Sequence, residues 1–209
     1  MSEIKDKSIQ IFLDELANKS ATPGGGSAAA LMGAQSAALT SMVCNLTIGK
    51  PKYAEVETEM QALLKKSEAL REKLTGLIQV DIDVFNRLMA RYGLPKESDQ
   101  EKAIRSEAIQ TALKEATEVP LDCARACAEA IKLSHIAADK GNLGVISDAG
   151  AAVMAGYCGL KTAVLNVYIN TNSLKDKTFA EAKLAELEAI LKGVDVVAEE
   201  IYQMVKTKL

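Results

Sequence analysis

Residues 22–46 read TPGGGSAAALMGAQSAALTSMVCNL, and the predicted architecture is built around this segment. No charged residue occurs between Lys19 and Lys50, and most side chains in that span are Ala, Gly, Ser or Thr. Three consecutive glycines interrupt a helical pattern, and Ser27, which can cap the next helix, follows them. Side chains this small let helices pack closely, so we predict a central helix over residues 27–46.

Helical periodicity continues on both sides of this stretch, and runs of β-branched or aromatic residues bounded by turns are almost absent. Only residues 163–171, AVLNVYINT, could form a strand, and no partner strand is evident to take its hydrogen bonds. We therefore predict one all-α domain over residues 1–209, with about six long helices. Besides the central helix, the predicted helices cover residues 2–18, 51–91, 99–138, 147 or 148 to 172, and 176–206. Pro120 predicts a kink or break within the helix over residues 99–138.

Composition limits the partners of this chain. Its 25 Lys and Arg against 28 Asp and Glu give a net charge of −3, and only 4% of residues are aromatic, so nucleic acid is an unsuitable partner. The N-terminal MSEIKDKSIQ lacks the apolar run of an export signal, and four scattered cysteines do not form a disulfide framework. We expect a cytoplasmic protein with free thiols. The uncharged stretch could span a bilayer by length, but its small residues favour packing inside protein, so no membrane partner is expected.

The PGGGS loop, from Pro23 through Gly24, Gly25 and Gly26 to Ser27, is a candidate binding site. Consecutive glycines are entropically unfavourable unless the backbone needs a positive φ or close approach of a ligand. The loop fits a G-x-G-x-x-A pattern, but no strand precedes it, which excludes a dinucleotide fold, and no P-loop sequence exists. The loop leads into a helix N-terminus, whose free N–H groups suit a carboxylate or carbonyl oxygen. A tight turn between packed helices explains it equally well.

Asn142, Asp148, Asn166 and Asn170 place short polar groups in an otherwise apolar stretch. Asn166 and Asn170 stand four residues apart, on one face of the predicted helix. Buried amides need partners, so this face either joins two helices or recognises a polar heterocycle. Both interpretations stay open here.

Asp81 and Asp83 lie within an apolar part of the long helix, where whichever points inward would resist ionisation. Lys50, Tyr53 and Lys96 occur at predicted helix ends or loops, where binding groups are often displayed, although each alone suits a solvated surface. These residues complete the set of candidate site residues.

A metal site is not expected. His135 is the single histidine, and Cys123 and Cys127 stand four apart on a predicted helix rather than in a ligand hairpin. A zinc site built from these three residues is the weaker alternative to small thiols packed in the core.

Six stretches together are typical of one family: FLDELANKSATPGGGSAAA, SMVCNLTIGKPKY, DIDVF followed by YGLPK, EATEVPL, GNLGVISDAG and LNVYIN. In this order and spacing the chain resembles, nearly end to end, the cyclodeaminase/cyclohydrolase family of folate one-carbon enzymes. The resemblance implies an all-helical dimer with its folate site in a cleft near the subunit interface. It implies methenyltetrahydrofolate cyclohydrolase activity, favoured by MVCNLTIGKPKYAEVE, or formiminotetrahydrofolate cyclodeaminase activity. A helical dimer that binds folate without catalysis is the alternative of another class.

The resemblance also implies roles for the candidate residues. Asp148 or Asp81 would stabilise the substrate cation or guide water, and Lys50 would transfer a proton if burial lowers its pKa. The PGGGS loop and the three asparagines would hold the pterin, while Lys96 or Tyr53 would meet the glutamate tail. No metal and no cofactor beyond the tetrahydrofolate substrate is required.

Overall fold

The computed structural model describes residues 3–209, in which α-helices are joined by short turns and no strand occurs. The prediction of an all-α chain is confirmed, including a helical 163–171. Within this described part, six α-helices have 15 or more residues and one has nine. The helices are α1 Ile9–Ala17, α2 Gly25–Asn45, α3 Glu57–Tyr92, α4 Asp99–Lys140, α5 Ile146–Asn172, α6 Lys177–Leu191 and α7 Val194–Lys208.

Helix α2 lies at the centre, packed antiparallel against α5 and flanked by α3 and α4. Glycines make the α2–α5 approach this close. A Cβ atom on Gly156 would lie 2.8 Å from Oγ of Ser36, and one on Gly159 would lie 2.9 Å from the carbonyl oxygen of Ala29. The predicted central helix is therefore confirmed, because its small side chains let neighbouring backbones meet.

Helix α2 begins earlier than predicted. Gly24 is its N-cap and makes no side-chain capping bond, whereas Ser27 lies buried in the first turn. The prediction that Ser27 caps this helix is wrong. A carboxylate from α3 supplies the missing acceptor instead, as described below.

Helix α4 continues through Pro120, so a break at this proline is not observed. Proline has no N–H to donate to the carbonyl four residues earlier, that of Ala116. The side-chain amide of Asn170, on α5, donates to that carbonyl oxygen at 2.7 Å. A neighbouring helix thus satisfies the group that the proline leaves unpaired.

The C-terminal segment forms two helices, α6 and α7, where one over residues 176–206 was predicted. Gly193 separates them with φ +75°, a left-handed conformation that glycine adopts without steric cost. Gly193 indicates the break between the two helices, but the apolar periodicity alone continues across it and predicts a single helix.

Helix α2 and the segment Leu143–Asn172 are each long and apolar enough to cross a membrane, and 61% and 44% of their apolar windows are buried in the protein. Exposed apolar side chains on these two helices form part of the remaining surface, and we call them together the α2–α5 face. They are Met42 on α2, Leu46 at the C-terminal end of α2, and Met154, Leu165 and Ile169 on α5. Lys161 is the one charged residue on α5 beyond its first turn.

Candidate functional site

The carboxylate of Asp81, on α3, meets the first turn of α2. Ser27 Oγ donates a hydrogen bond to Asp81 Oδ2 at 2.8 Å. A Cβ atom on Gly26 would lie 2.5 Å from Asp81 Cγ and 2.8 Å from Oδ2, so a larger residue would displace the carboxylate. Gly26 is therefore required for Asp81 to reach the helix N-terminus, where a negative charge is favourable.

Burial raises the pKa of Asp81, while hydrogen bonds from Ser27 act in the opposite direction. Burial of the charged form in a low-dielectric site is the larger effect. Asp83 is exposed and accepts a hydrogen bond from Gln79. Of the two aspartates, Asp81 is thus the one that points inward and resists ionisation.

Asn166 and Asn170 each donate one side-chain N–H to a backbone carbonyl. Asn166 Nδ2 donates to Thr162 O at 3.0 Å, and Asn170 Nδ2 donates to Ala116 O. These bonds fix the amide orientations, since a carbonyl oxygen accepts only from the N–H₂ end. A Cβ atom on Gly25 would lie 3.7 Å from Asn166 Nδ2, which places Asn166 beside the glycine loop.

Asp81, Asn166 and Asn170 share one cavity of about 270 Å³, which we call the trench. It lies between α3, α4 and α5, with the N-terminus of α2 beside its polar end. Its remaining wall is mainly apolar and comprises Val84, Phe85, Leu88, Met89, Tyr92, Leu113, Ala116, Pro120, Ile169 and Ser173. The trench combines an apolar slot with a few polar groups, as small-molecule sites commonly do.

Four other depressions are larger: two of about 490 and 540 Å³, and two of about 330 and 390 Å³. Of the predicted site residues only Pro23 lines any of them, in the 390 Å³ depression. An ion pair between Arg125 and Glu186 stands in the wall of the first. The second is an open hollow beside Met42 and Leu46 on the α2–α5 face. The trench is therefore the better candidate despite its smaller size.

A second polar group lies near the other end of α2. Tyr53 donates to Asn142 Oδ1 at 3.3 Å and accepts from the backbone N–H of Leu143 at 2.9 Å. Asn142 also donates through Nδ2 to Leu46 O at 2.7 Å. Tyr53 and Asn142 thus tie the α4–α5 turn to the end of α2, which is the helix-joining role considered for an asparagine.

This second group is far from the trench within one chain. Helix α2 has 21 residues, which at about 1.5 Å per residue corresponds to roughly 30 Å. Asp148 lies in the first turn of α5, 18 positions before Asn166, or about 27 Å at the same rise. Lys50 is exposed at the same end as Asp148, so the single chain does not bury this lysine.

The remaining predicted residues lie apart from both groups. Lys96 is exposed in the turn between α3 and α4. Pro23 is buried and lines a different cavity, against the N-terminal segment and α3. One chain therefore brings Gly25, Gly26, Ser27, Asp81, Asn166 and Asn170 together at the trench, and Tyr53 and Asn142 together near the other end of α2.

The apolar side of the trench was not identified from the sequence. Phe85, Met89 and Tyr92 follow Asp81 by four, eight and eleven residues, which puts them on one helix face. That spacing is a usable signal, although an ordinary core face produces the same pattern.

The cysteines show no ligand arrangement. Cys44, Cys123 and Cys127 are buried and Cys158 is exposed. Burial raises the pKa of Cys44 to about 11. The pKa of Cys123 is also raised, mainly by its hydrogen bond with Cys127 and secondly by burial. Over residues 3–209, no three His, Cys, Asp or Glu side chains stand close enough to hold a metal ion.

Comparison with known proteins identifies the family. The family model for formiminotransferase-cyclodeaminase matches residues 8–189. The chain belongs to the formiminotransferase-cyclodeaminase family. The resemblance read from the sequence motifs is thereby confirmed.

Members of the formiminotransferase-cyclodeaminase family differ in length and in name. Methenyltetrahydrofolate cyclohydrolase of Methylorubrum extorquens is 55% identical over 204 residues, covering 98% of each chain. Formimidoyltransferase-cyclodeaminase of Rattus norvegicus is 33% identical over 186 residues, and the match covers 34% of that longer protein. The crystal structure of formiminotetrahydrofolate cyclodeaminase from Thermotoga maritima superimposes with a TM-score of 0.83 at 33% identity, covering 99% of this chain and 98% of that one.

Proposed function

We propose that this chain hydrolyses 5,10-methenyltetrahydrofolate to 10-formyltetrahydrofolate. The observation that carries the proposal is its 55% identity, over nearly the full length of both chains, to a protein named methenyltetrahydrofolate cyclohydrolase. Relatives named for cyclodeaminase activity are about 33% identical or less. The trench supports the proposal, since its apolar slot with a polar end suits a flat heterocycle.

The reaction needs few groups from the protein. Water attacks the cationic carbon that bridges N5 and N10, the bond from that carbon to N5 breaks, and N5 takes up a proton. A base must accept a proton from the water, and an acid must supply the proton to N5. A carboxylate that faces the bridging carbon also stabilises its positive charge until water adds. We expect no cofactor beyond the folate substrate.

A homodimer would unite the two separated groups of candidate residues. Because α2 and α5 run antiparallel and carry the exposed α2–α5 face, a second copy can pack on that face about a two-fold axis. With the axis near the middle of both helices, the partner's Asp148 and Lys50 would lie beside the trench of the first copy. We propose this arrangement, with Asp148 as the charged group at the reacting carbon and Lys50, once covered, as the proton carrier.

A complementation experiment tests the shared site. We expect Asp148→Asn and Asp81→Asn each to lower turnover strongly at low substrate concentration. When equal amounts are mixed and allowed to exchange, half of the dimers are hybrids with one intact site, so activity should return to about a quarter of wild type. Activity that does not rise on mixing, although hybrid dimers are detected, would contradict a site built from two chains.

The dimer itself has a separate test. Leu165→Glu places a charge on the α2–α5 face, where Leu165 is 66% exposed, and should yield monomers in light scattering. Ile9→Glu, at a residue 80% exposed on α1, is the matched control and should leave the assembly unchanged. If both variants keep the wild-type mass, the α2–α5 face is not the interface.

Formiminotetrahydrofolate cyclodeaminase activity is the second candidate, favoured by the close superposition on the Thermotoga maritima enzyme of that name. In that reaction N10 closes onto the formimino carbon and ammonia leaves. Loss of methenyl absorbance without ammonia release from formiminotetrahydrofolate supports the cyclohydrolase. Ammonia release supports the cyclodeaminase, and folate binding with neither change indicates a non-catalytic binding protein.

We further propose that the protein works in the cytoplasm.

A further inference from the structure

The polar side chains at the inner end of the trench present hydrogen-bond acceptors to a ligand. Asn166 and Asn170 each donate one Nδ2 hydrogen, to Thr162 O and Ala116 O respectively, and each keeps a second Nδ2 hydrogen. Their Oδ1 atoms accept no hydrogen bond within residues 3–209. Asp81 accepts from the Ser27 hydroxyl through Oδ2 and also from the Ser27 backbone N–H, which still leaves carboxylate lone pairs to accept a bond from a ligand.

The hydroxyl at the same wall has also used its hydrogen. Ser173 Oγ donates to Ile169 O at 3.1 Å, which leaves only its lone pairs for a ligand. The phenol of Tyr92 can still donate, but Tyr92 follows Asp81 by 11 residues on α3, about 16 Å along the helix, at the outer end. At the inner end the lone pairs of the two Oδ1 atoms and of the Asp81 carboxylate outnumber the two remaining amide hydrogens, which suits a ligand edge that is rich in N–H donors.

A reduced pteridine has one such edge. Its 2-amino group and N3–H are adjacent donors at the pyrimidine end of the bicycle, whereas the carbon that bridges N5 and N10 is attached to the pyrazine end, beyond the C4 carbonyl. A carboxylate that accepts from two adjacent N–H groups makes a strong, charge-assisted pair. Turning the ring end for end would remove both donors from these acceptors and leave the acceptors without partners, which is unfavourable.

We propose that the trench binds the pteridine by its N–H edge, with the 2-amino group and N3–H donating to Asp81 and to the Oδ1 atoms of Asn166 and Asn170. This inference rests on the proposed function and specifies how that substrate is oriented. Asp81 then recognises the ring and faces away from the reacting carbon, so it does not activate water. The bridging carbon points toward the trench opening, where groups from a second copy can reach it.

The size of the trench agrees with this orientation. Its volume of about 270 Å³ is below the range of roughly 300–1,000 Å³ typical of sites that enclose a whole drug-sized ligand. It therefore holds the bicycle while the rest of the folate extends outward. The apolar side chains of Phe85, Met89 and Leu113 line the same cavity and would contact the bicycle.

The test compares two ligands on matched variants. The probes are 5-formyltetrahydrofolate, which is not hydrolysed on the timescale of a titration, and its 2-desamino-2-methyl analogue, which lacks the amino donors. Binding of each is measured by calorimetry. Loss of a charge-assisted hydrogen bond should weaken binding of the analogue to wild-type protein roughly 10- to 100-fold.

Asp81→Asn should abolish most of this preference. Ser27 would hold the amide oxygen of the new side chain, so its N–H₂ group would face the ligand and oppose the 2-amino donor. We expect the affinity ratio of the two ligands to fall below about 3-fold. Asp83→Asn, on the same helix but exposed, is the control and should keep the wild-type ratio.

Asn166→Ala provides a second variant in case Asp81→Asn does not fold, and it should lower the ratio to an intermediate value. A ratio that stays at the wild-type value in folded Asp81→Asn and Asn166→Ala overturns the proposal. Hydrolysis of methenyltetrahydrofolate is measured separately. Wild-type protein that hydrolyses it without preferring the 2-amino ligand overturns the orientation alone, whereas a clear preference without hydrolysis overturns the proposed function alone.

Discussion

The bond between Asn170 and the carbonyl of Ala116 predicts a specific coupling between Asn170 and Pro120. Ala116 is 4% exposed, and the donor–acceptor distance is 2.7 Å. Asn170→Ala leaves this carbonyl without its side-chain donor, at a cost of about 1–3 kcal/mol. For a chain of this size the midpoint of thermal unfolding should fall by roughly 2–4 °C per kcal/mol.

Pro120→Ala restores the N–H that the proline lacks, so the carbonyl of Ala116 regains its helical donor. In that background, Asn170→Ala should cost less than about 1 kcal/mol, since no buried acceptor is left unpaired. The predicted coupling is therefore about 1–2 kcal/mol.

The assay is urea unfolding, followed by circular dichroism, of wild type, both single variants and the double variant at one protein concentration. Asn172→Ala, at an exposed position two residues along α5, is the control and should be nearly neutral in both backgrounds. An equal cost of Asn170→Ala, within about 0.5 kcal/mol, with and without Pro120 would refute this coupling.

Three further predictions concern single positions. Gly26→Ala should displace the Asp81 carboxylate and lower folate affinity at least 10-fold by calorimetry, whereas Gly76→Ala, where a Cβ meets nothing within 4 Å, should bind normally; equal affinities would refute the steric argument. Burial raises the pKa of Asp81, so ionisation of that group opposes folding. Asp81→Asn should therefore raise the unfolding temperature near pH 7, and this advantage should disappear as the pH falls through the raised pKa. A difference in unfolding temperature that grows on acidification would contradict this sign. Gly193→Ala should reduce the free energy of unfolding by about 1–2 kcal/mol, because φ is +75° there, and an unchanged urea midpoint would count against that strain.

The sequence predicted the helices well because side-chain periodicity is a local property. It failed where tertiary contacts override local signals. Ser27 has the chemistry of a cap, but the acceptor that meets α2 comes from Asp81, 54 positions later. Pro120 predicts a break, and the helix continues because Asn170 satisfies the free carbonyl. Neither partner can be inferred from local spacing.

The candidate site was predictable in part for the same reason. Asp81, Asn166 and the glycine loop were singled out by residue type, and the structure places them around one trench. Lys50, Tyr53, Asn142 and Asp148 were singled out in the same way, yet they lie at the opposite end of the long central helices. Residue type indicates the chemistry of a group, whereas the distance between groups depends on how antiparallel helices are aligned.

The carboxylate at the start of α2 also bears on how this chain reaches its native state. An isolated α2 peptide has only glycine at its N-cap and no acidic residue in its first turn, so its initial N–H groups would face water and the first turn would fray. Those groups gain a carboxylate partner only when α3 docks alongside. The order of assembly follows from this contact, because the ligand-binding end of α2 becomes rigid only when α2 and α3 pack together.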